Sequence, residues 1–228
     1  MKKKKMSLAS KINLIRAIVM GANDGIVSVA GIVIGVASAG SSPRAILISG
    51  IAGALAGTVS MAVGEYVSVS TQRDAEKQAI IDEKDALKNH YQREFDFIKN
   101  EYTSVGVSDE LATKATQEML NGNQLYVAVR ERYGFDLNDK TSALGAAIAS
   151  MISFPTGSLL PLLAVTLLPV SLRIIGTVIA VAIALIITGY IASILGKEEN
   201  HLKSAVRNVI VGLLTMLVTY VVGLLFDH

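Results

Sequence analysis

Five stretches of the chain, roughly Leu14–Ala39, Ala45–Val69, Ser142–Leu163, Ile174–Leu195 and Ala205–Phe226, are apolar over about twenty residues each. That is the length at which a helix covers the hydrocarbon core of a bilayer. A backbone in lipid must satisfy its own hydrogen bonds, so runs of this kind are helices or nothing stable. The predicted fold is therefore all-α: a polytopic membrane protein with five transmembrane helices, and an odd number of spans puts the two termini on opposite faces. The first run shows no short apolar core followed by a small-residue cleavage site, so it reads as a span and not as a signal peptide.

Orientation follows from the basic residues. Six Lys and Arg precede or open the first span, ten lie from Arg73 to Lys140, and three lie from Lys197 to Arg207; only Arg44 and Arg173 fall on the other side. By the positive-inside rule the N-terminus, the segment between the second and third spans and the fourth-to-fifth connection are cytoplasmic, and the C-terminus lies opposite. The lysine-rich start, MKKKK, suits a bacterial cytoplasmic membrane, so the expected location is the cell membrane, multi-pass.

The chain divides at about residues 70 and 140. Residues 1–70 hold the N-terminal segment and the first two spans, 71–140 a cytoplasmic insert, and 141–228 the last three spans. The insert carries 14 of the chain's 19 acidic residues. Between Gln72 and Tyr102 it has no Gly or Pro, and Ala79, Ile80, Leu87, Phe95 and Ile98 form an apolar stripe of helical period. Ser108 is placed to cap a second helix whose first turn carries Asp109 and Glu110. Asn121, Gly122 and Asn123 end it, and a third short helix runs to Gly134. A three-helix insert of this size has little core of its own and leans on a partner copy.

The spans are not uniformly apolar. Asp24 lies about ten residues into the first one, near mid-membrane at 1.5 Å per residue. A carboxylate there is costly and marks function by default. Met20, Asp24, Ser28, Gly31 and Gly35 recur at helical spacing and make one small, polar face. The second span offers Gly50, Gly53, Gly57, Met61 and Gly64, small enough for close helix approach. Glu65 stands one turn beyond Met61, which can share a level with Asp24. Two carboxylates would suit a hard cation, and a thioether beside them shifts the preference toward a first-row transition ion such as Fe²⁺. Met61 also reads as a gap-filler and Glu65 as an acid snorkelling to the interface. Pro155 and Pro161 in the third span serve either packing or gating.

The stretches GANDGIVSVAGIVIGVASAG, ISGIAGALAGTVSMAVGEYVSVSTQRDAEK and SFPTGSLLPLL resemble the vacuolar iron transporter family, and the resemblance covers nearly the whole chain. It implies a homodimer with the ion path at the subunit interface, lined by the first and second helices, and Fe²⁺, in some members Mn²⁺, leaving the cytoplasm in exchange for protons. Asp24 and Met61 match the family's pore ligands, and Glu65 stands in the adjoining GEY motif. The family's insert binds metal through E-x-x-E pairs and a later Met plus Glu. Glu83 and Glu94 fall at the first position of each pair, but Ala86 and Phe97 stand where the second acids should be, with Asp85 and Asp96 one position nearer. Glu131 is present in the last insert helix without a methionine, and Glu76 and Glu118 are further acids of lower rank.

The expected activity is thus proton-coupled export of a divalent metal, with lipid bilayer, a second copy and divalent ions as partners, and neither a resident cofactor nor a nucleic-acid partner. The alternative is a membrane-anchored metal sensor or buffer through which nothing crosses. An enzyme is disfavoured: cysteine is absent, and His90, His201 and His228 all fall outside the spans.

Overall fold

The computed structural model describes residues 8–139, 141–196 and 200–226; the MKKKK start and His228 lie outside the described residues. Among the described residues eight helices follow one another: α1 (Leu8–Ser38), α2 (Pro43–Asn89), α3 (Tyr91–Ser104), α4 (Asp109–Asn121), α5 (Gln124–Tyr133), α6 (Ala143–Leu167), α7 (Arg173–Leu195) and α8 (His201–Leu224). Among the described residues, five helices are long and apolar enough to cross a membrane: α1, α2, α6, α7 and α8. The described residues separate into two compact units, one of Lys11–Val67 with residues 142–226, the other of residues 8–10 with Ser68–Thr141.

In the first unit α1 is the central element. Half of its most apolar window (50%) is buried within the chain, against 22% for α7 and 17% for α8, whose outward Ile, Val and Leu are exposed, as suits helices long and apolar enough to border lipid. The core gathers Ile26, Val29, Ala30, Val33 and Ile34 of α1 around Ile46 and Ala54 of α2, Phe154 and Val165 of α6, Val181 and Leu185 of α7, and Met216 of α8. α7 packs along α8 and also against α6.

Glycine sets the α1–α6 distance. A Cβ at Gly157 would lie 2.1 Å from the carbonyl oxygen of Ala22 and 2.9 Å from its carbon, and backbone cannot yield as a side chain can. Helix approach this close compensates in lipid for the missing hydrophobic drive between helices. Gly157→Ala is expected to destabilise the fold by about 1–3 kcal/mol, the usual cost of overpacking, read as a lower melting midpoint in detergent; an unchanged midpoint would show that α1 and α6 can separate freely. α6 itself passes Pro155 and Pro161 as one helix.

The second unit starts with the charged half of α2, beyond the apolar stretch that ends near Val69. The expected single long helix from Gln72 to Tyr102 is interrupted: His90, at φ −140° and ψ 40°, separates α2 from α3. The bend lets α3 turn back, so that Leu87 of α2 meets Ile98 of α3, Leu120 of α4 and Ala128 of α5 in a small core. No Gly or Pro announces this break, which is why period alone misses it. Ser108 occupies the N-cap position of α4 as expected, yet its side chain makes no capping bond. Asn123 caps α5 instead, accepting from the Tyr126 N–H at 3.2 Å. Gly134 closes α5 at φ +72°, a left-handed conformation that costs glycine nothing.

Candidate functional site

On the membrane unit, one groove of about 470 Å³ is lined by Met20, Asp24, Ser28 and Ile32 of α1, by Gly53, Ala56, Gly57, Ser60, Met61, Gly64 and Glu65 of α2, and by Phe154 of α6. The structure thus brings together Asp24, Met61 and Glu65, the three intramembrane residues singled out from sequence. The 3.6-residue turn puts Met20, Asp24 and Ser28 on one line, while the glycines of α2 leave room opposite them. Gly31 and Gly35, assigned above to the same face, belong elsewhere: they pack against Thr215 and Thr219 of α8. Ile32 takes their place in the groove.

Phe154, 1% exposed, forms the floor. A Cβ at Gly57 would fall 2.2 Å from its ring, so glycine is what allows the aromatic wall to reach α2. The opposite side is open: a Cβ at Gly64 would meet nothing within 4 Å.

Within the groove each acid has a different partner. Asp24 accepts a hydrogen bond from Ser28 Oγ at 2.6 Å. Glu65, 7% exposed, faces Arg16 across the α1–α2 contact, with Nη2 to Oε2 at 3.2 Å. The sequence reading gave Glu65 no such partner. Asn23, next to Asp24, turns away; its Oδ1 accepts from Thr188 Oγ1 of α7 at 3.1 Å and from Asn208 Nδ2 of α8 at 3.4 Å. Chemically the groove offers two carboxylates, two thioethers and two hydroxyls from one chain. Such a set suits a divalent ion of intermediate softness and is too sparse to enclose one alone. Among the described residues no group of three or more His, Cys, Asp or Glu is placed to hold a metal ion.

The insert brings Glu83 and Glu94 together, but around a guanidinium. Both are only 1% exposed. Arg132 of α5 lies between them, with Nε 3.1 Å from Glu83 Oε2 and Nη2 hydrogen-bonded to Glu94 Oε2, and its guanidinium stacks 4.0 Å from the Phe97 ring centroid. Arg93 holds the other Glu94 oxygen at 3.0 Å. A solvated helix face, the ordinary reading of an acid in such a segment, is therefore wrong for these two. It is right for Asp85 and Asp96, which are exposed and accept side-chain amide bonds from Asn89 and Gln92. Glu131 does not join Glu83 and Glu94; its carboxylate lies beside Tyr102, where burial first and that negative charge second push the phenol up.

Burial pushes the Glu83 carboxyl up to about 7, and the neighbouring Glu94 charge adds to this against the pull of Arg132. Burial opposes ionisation of Glu94 as well, but hydrogen bonds from Arg132 and Arg93 outweigh it and hold that carboxyl below its ordinary value. Between pH 4.5 and about 7 the folded insert thus keeps a proton on Glu83 that an unfolded chain releases. Stability from this group is complete below the unfolded value and lost as pH rises through the folded one. Hydrogen-exchange protection of α3–α5 in the full-length protein is expected to fall by on the order of 2 kcal/mol from pH 5 to pH 8, and Glu83→Gln, which stays neutral, to flatten the trend. Equal slopes in both proteins would remove Glu83 as the cause.

The family model described as VIT family matches residues 15–224. The chain is 33% identical over 220 residues to Vacuolar iron transporter homolog 2.1 of Arabidopsis thaliana, covering 96% of this chain and 84% of that protein. It is 33% identical over 214 residues to Vacuolar iron transporter of Acanthamoeba castellanii, covering 93% and 78%, and 33% identical over 217 residues to Vacuolar iron transporter homolog 5 of Oryza sativa subsp. japonica, covering 94% and 81%. With five spans, a groove that joins Asp24 to Met61 and Glu65, and a family match from the first span to the last, this chain is a member of the VIT family.

Proposed function

We propose that the protein is a transporter, not an enzyme, that moves Fe²⁺, and Mn²⁺ as a second substrate, out of the cytoplasm in exchange for protons. The observation that carries this reading is the groove itself: two carboxylates and the Met61 thioether on one surface of the membrane unit, reached from Glu65 and continuing past Asp24 to Ser28. The names of the relatives support iron as cargo. An open polar groove is costly against lipid, and one chain's donors are too few for an ion, so a second copy packed on the α1–α2 face doubles the ligand set and excludes lipid. Glu83 and Glu94 enter the ion's route only when Arg132 releases them. Asp24 or Glu65 carries the returning proton once the ion has left.

The test is flux through the purified protein in proteoliposomes, with Fe²⁺, Mn²⁺, Zn²⁺ and Mg²⁺ compared under an imposed pH gradient. Fe²⁺ or Mn²⁺ entry that dissipates the gradient supports the proposal. Metal binding without flux would instead make the protein a sensor or buffer.

A further inference from the structure

At one end of the groove the face of α1 that presents Met20, Asp24 and Ser28 continues one turn back to Arg16. Its Nη2 contacts Glu65 Oε2 at 3.2 Å and Asn13 Oδ1 at 2.9 Å. The two sides of the ion pair differ in kind. The Glu65 side chain is 8% exposed and belongs to the groove wall, whereas the Arg16 side chain is 46% exposed and meets Glu65 at the groove's end. Resting on the metal-transport reading above, we propose that Arg16 is a specificity-determining residue: a tethered cation that occupies Glu65 when no cargo is present and yields only to a divalent ion.

The argument is one of competing charges. With both acids ionised, Asp24, Glu65 and Arg16 sum to a single negative charge. A monovalent ion arriving at Glu65 offers no more charge than the guanidinium it must displace, and the guanidinium is already in place. A divalent ion offers twice the attraction at the same distance. Displacing Arg16 is inexpensive because nearly half of the side chain is already exposed and Asn13, one turn back on the same helix, keeps a hydrogen-bond acceptor within reach. Being tethered there, Arg16 returns to Glu65 as the ion moves on toward Met61 and Asp24, and so helps to drive it forward. Arginine suits this task because its charge does not titrate in the working range.

The experiment uses the full-length protein in proteoliposomes, with Mn²⁺ as the air-stable probe and flux measured with and without a large excess of K⁺. Arg16→Gln is expected to lower KM about tenfold, since the site gains a net negative charge, to lower kcat by a similar factor as release slows, and to make transport sensitive to K⁺. Arg16→Lys, which keeps the charge, should restore KM, kcat and K⁺ resistance. Wild-type flux with KM and K⁺ response unchanged in Arg16→Gln overturns this proposal alone, as does a fall in kcat that lysine fails to rescue with KM unmoved. Absence of any wild-type metal flux overturns the transport reading and this proposal with it.

Discussion

Asp24→Asn is expected to reduce metal flux about a hundredfold while the protein still folds and inserts. Asparagine keeps the size of the side chain and an oxygen for the Ser28 hydroxyl, whose 2.6 Å bond to Asp24 fixes the rotamer. What disappears is the charge, and with it both the main electrostatic attraction for a divalent ion and a site for the returning proton. Loss of an outer hydrogen-bond partner of a metal ligand typically costs ten- to a hundredfold, so loss of the ligand's charge sets at least the upper end of that range. Ser28→Ala, which removes only the partner, should cost about tenfold. Flux measured side by side decides the matter: comparable rates in wild type and Asp24→Asn would mean that the groove is not the route.

The second large effect concerns the insert. Arg132→Met is expected to destabilise α3–α5 by about 3–5 kcal/mol, because it leaves the buried Glu83 without a counter-charge beside Glu94, which keeps only the exposed Arg93. The loss should be greatest near pH 8 and smaller near pH 5, where Glu83 takes up its proton. Combining Arg132→Met with Glu83→Gln and Glu94→Gln should recover most of the stability, since no charge then remains buried. Hydrogen exchange on α3–α5 of the full-length chain measures both variants. A mild effect of Arg132→Met at pH 8 would show that water reaches Glu83 and Glu94. Added Mn²⁺ should restore part of the protection in Arg132→Met and do nothing for wild type, where the guanidinium already stands between the two acids.

The spans are legible in the sequence because the bilayer imposes a length and a composition that few other structures require. Asp24 is legible for the same reason: an acid amid Ile, Val and Ala is a local anomaly. The meeting of Asp24, Met61 and Glu65 follows from helical period on two neighbouring helices, which needs only that they pack. Two other features depend on contacts between residues far apart in sequence, and no local pattern reports them. Arg16 and Glu65 are 49 positions apart, and each taken alone looks like an ordinary interfacial charge. Arg132 reads as one more base on an exposed helix end, while the break at His90, unmarked by Gly or Pro, is what folds Glu83 and Glu94 onto it. Phe97, noted only as a missing acid, supplies the ring under that guanidinium.

Asn23 gives the groove a property that no residue inside it could supply. A helix packed by small side chains is free to roll about its axis at little cost, and a roll of one residue, about 100°, would swing Asp24 out of the groove and into the protein or the lipid. The bonds from Thr188 and Asn208 grip Asn23 from two separate helices, and in hydrocarbon no water can substitute for them. Asn23 therefore acts as a key in a shaft. It fixes the azimuth of α1, and the direction in which its neighbour's carboxylate points is decided on the far side of the helix.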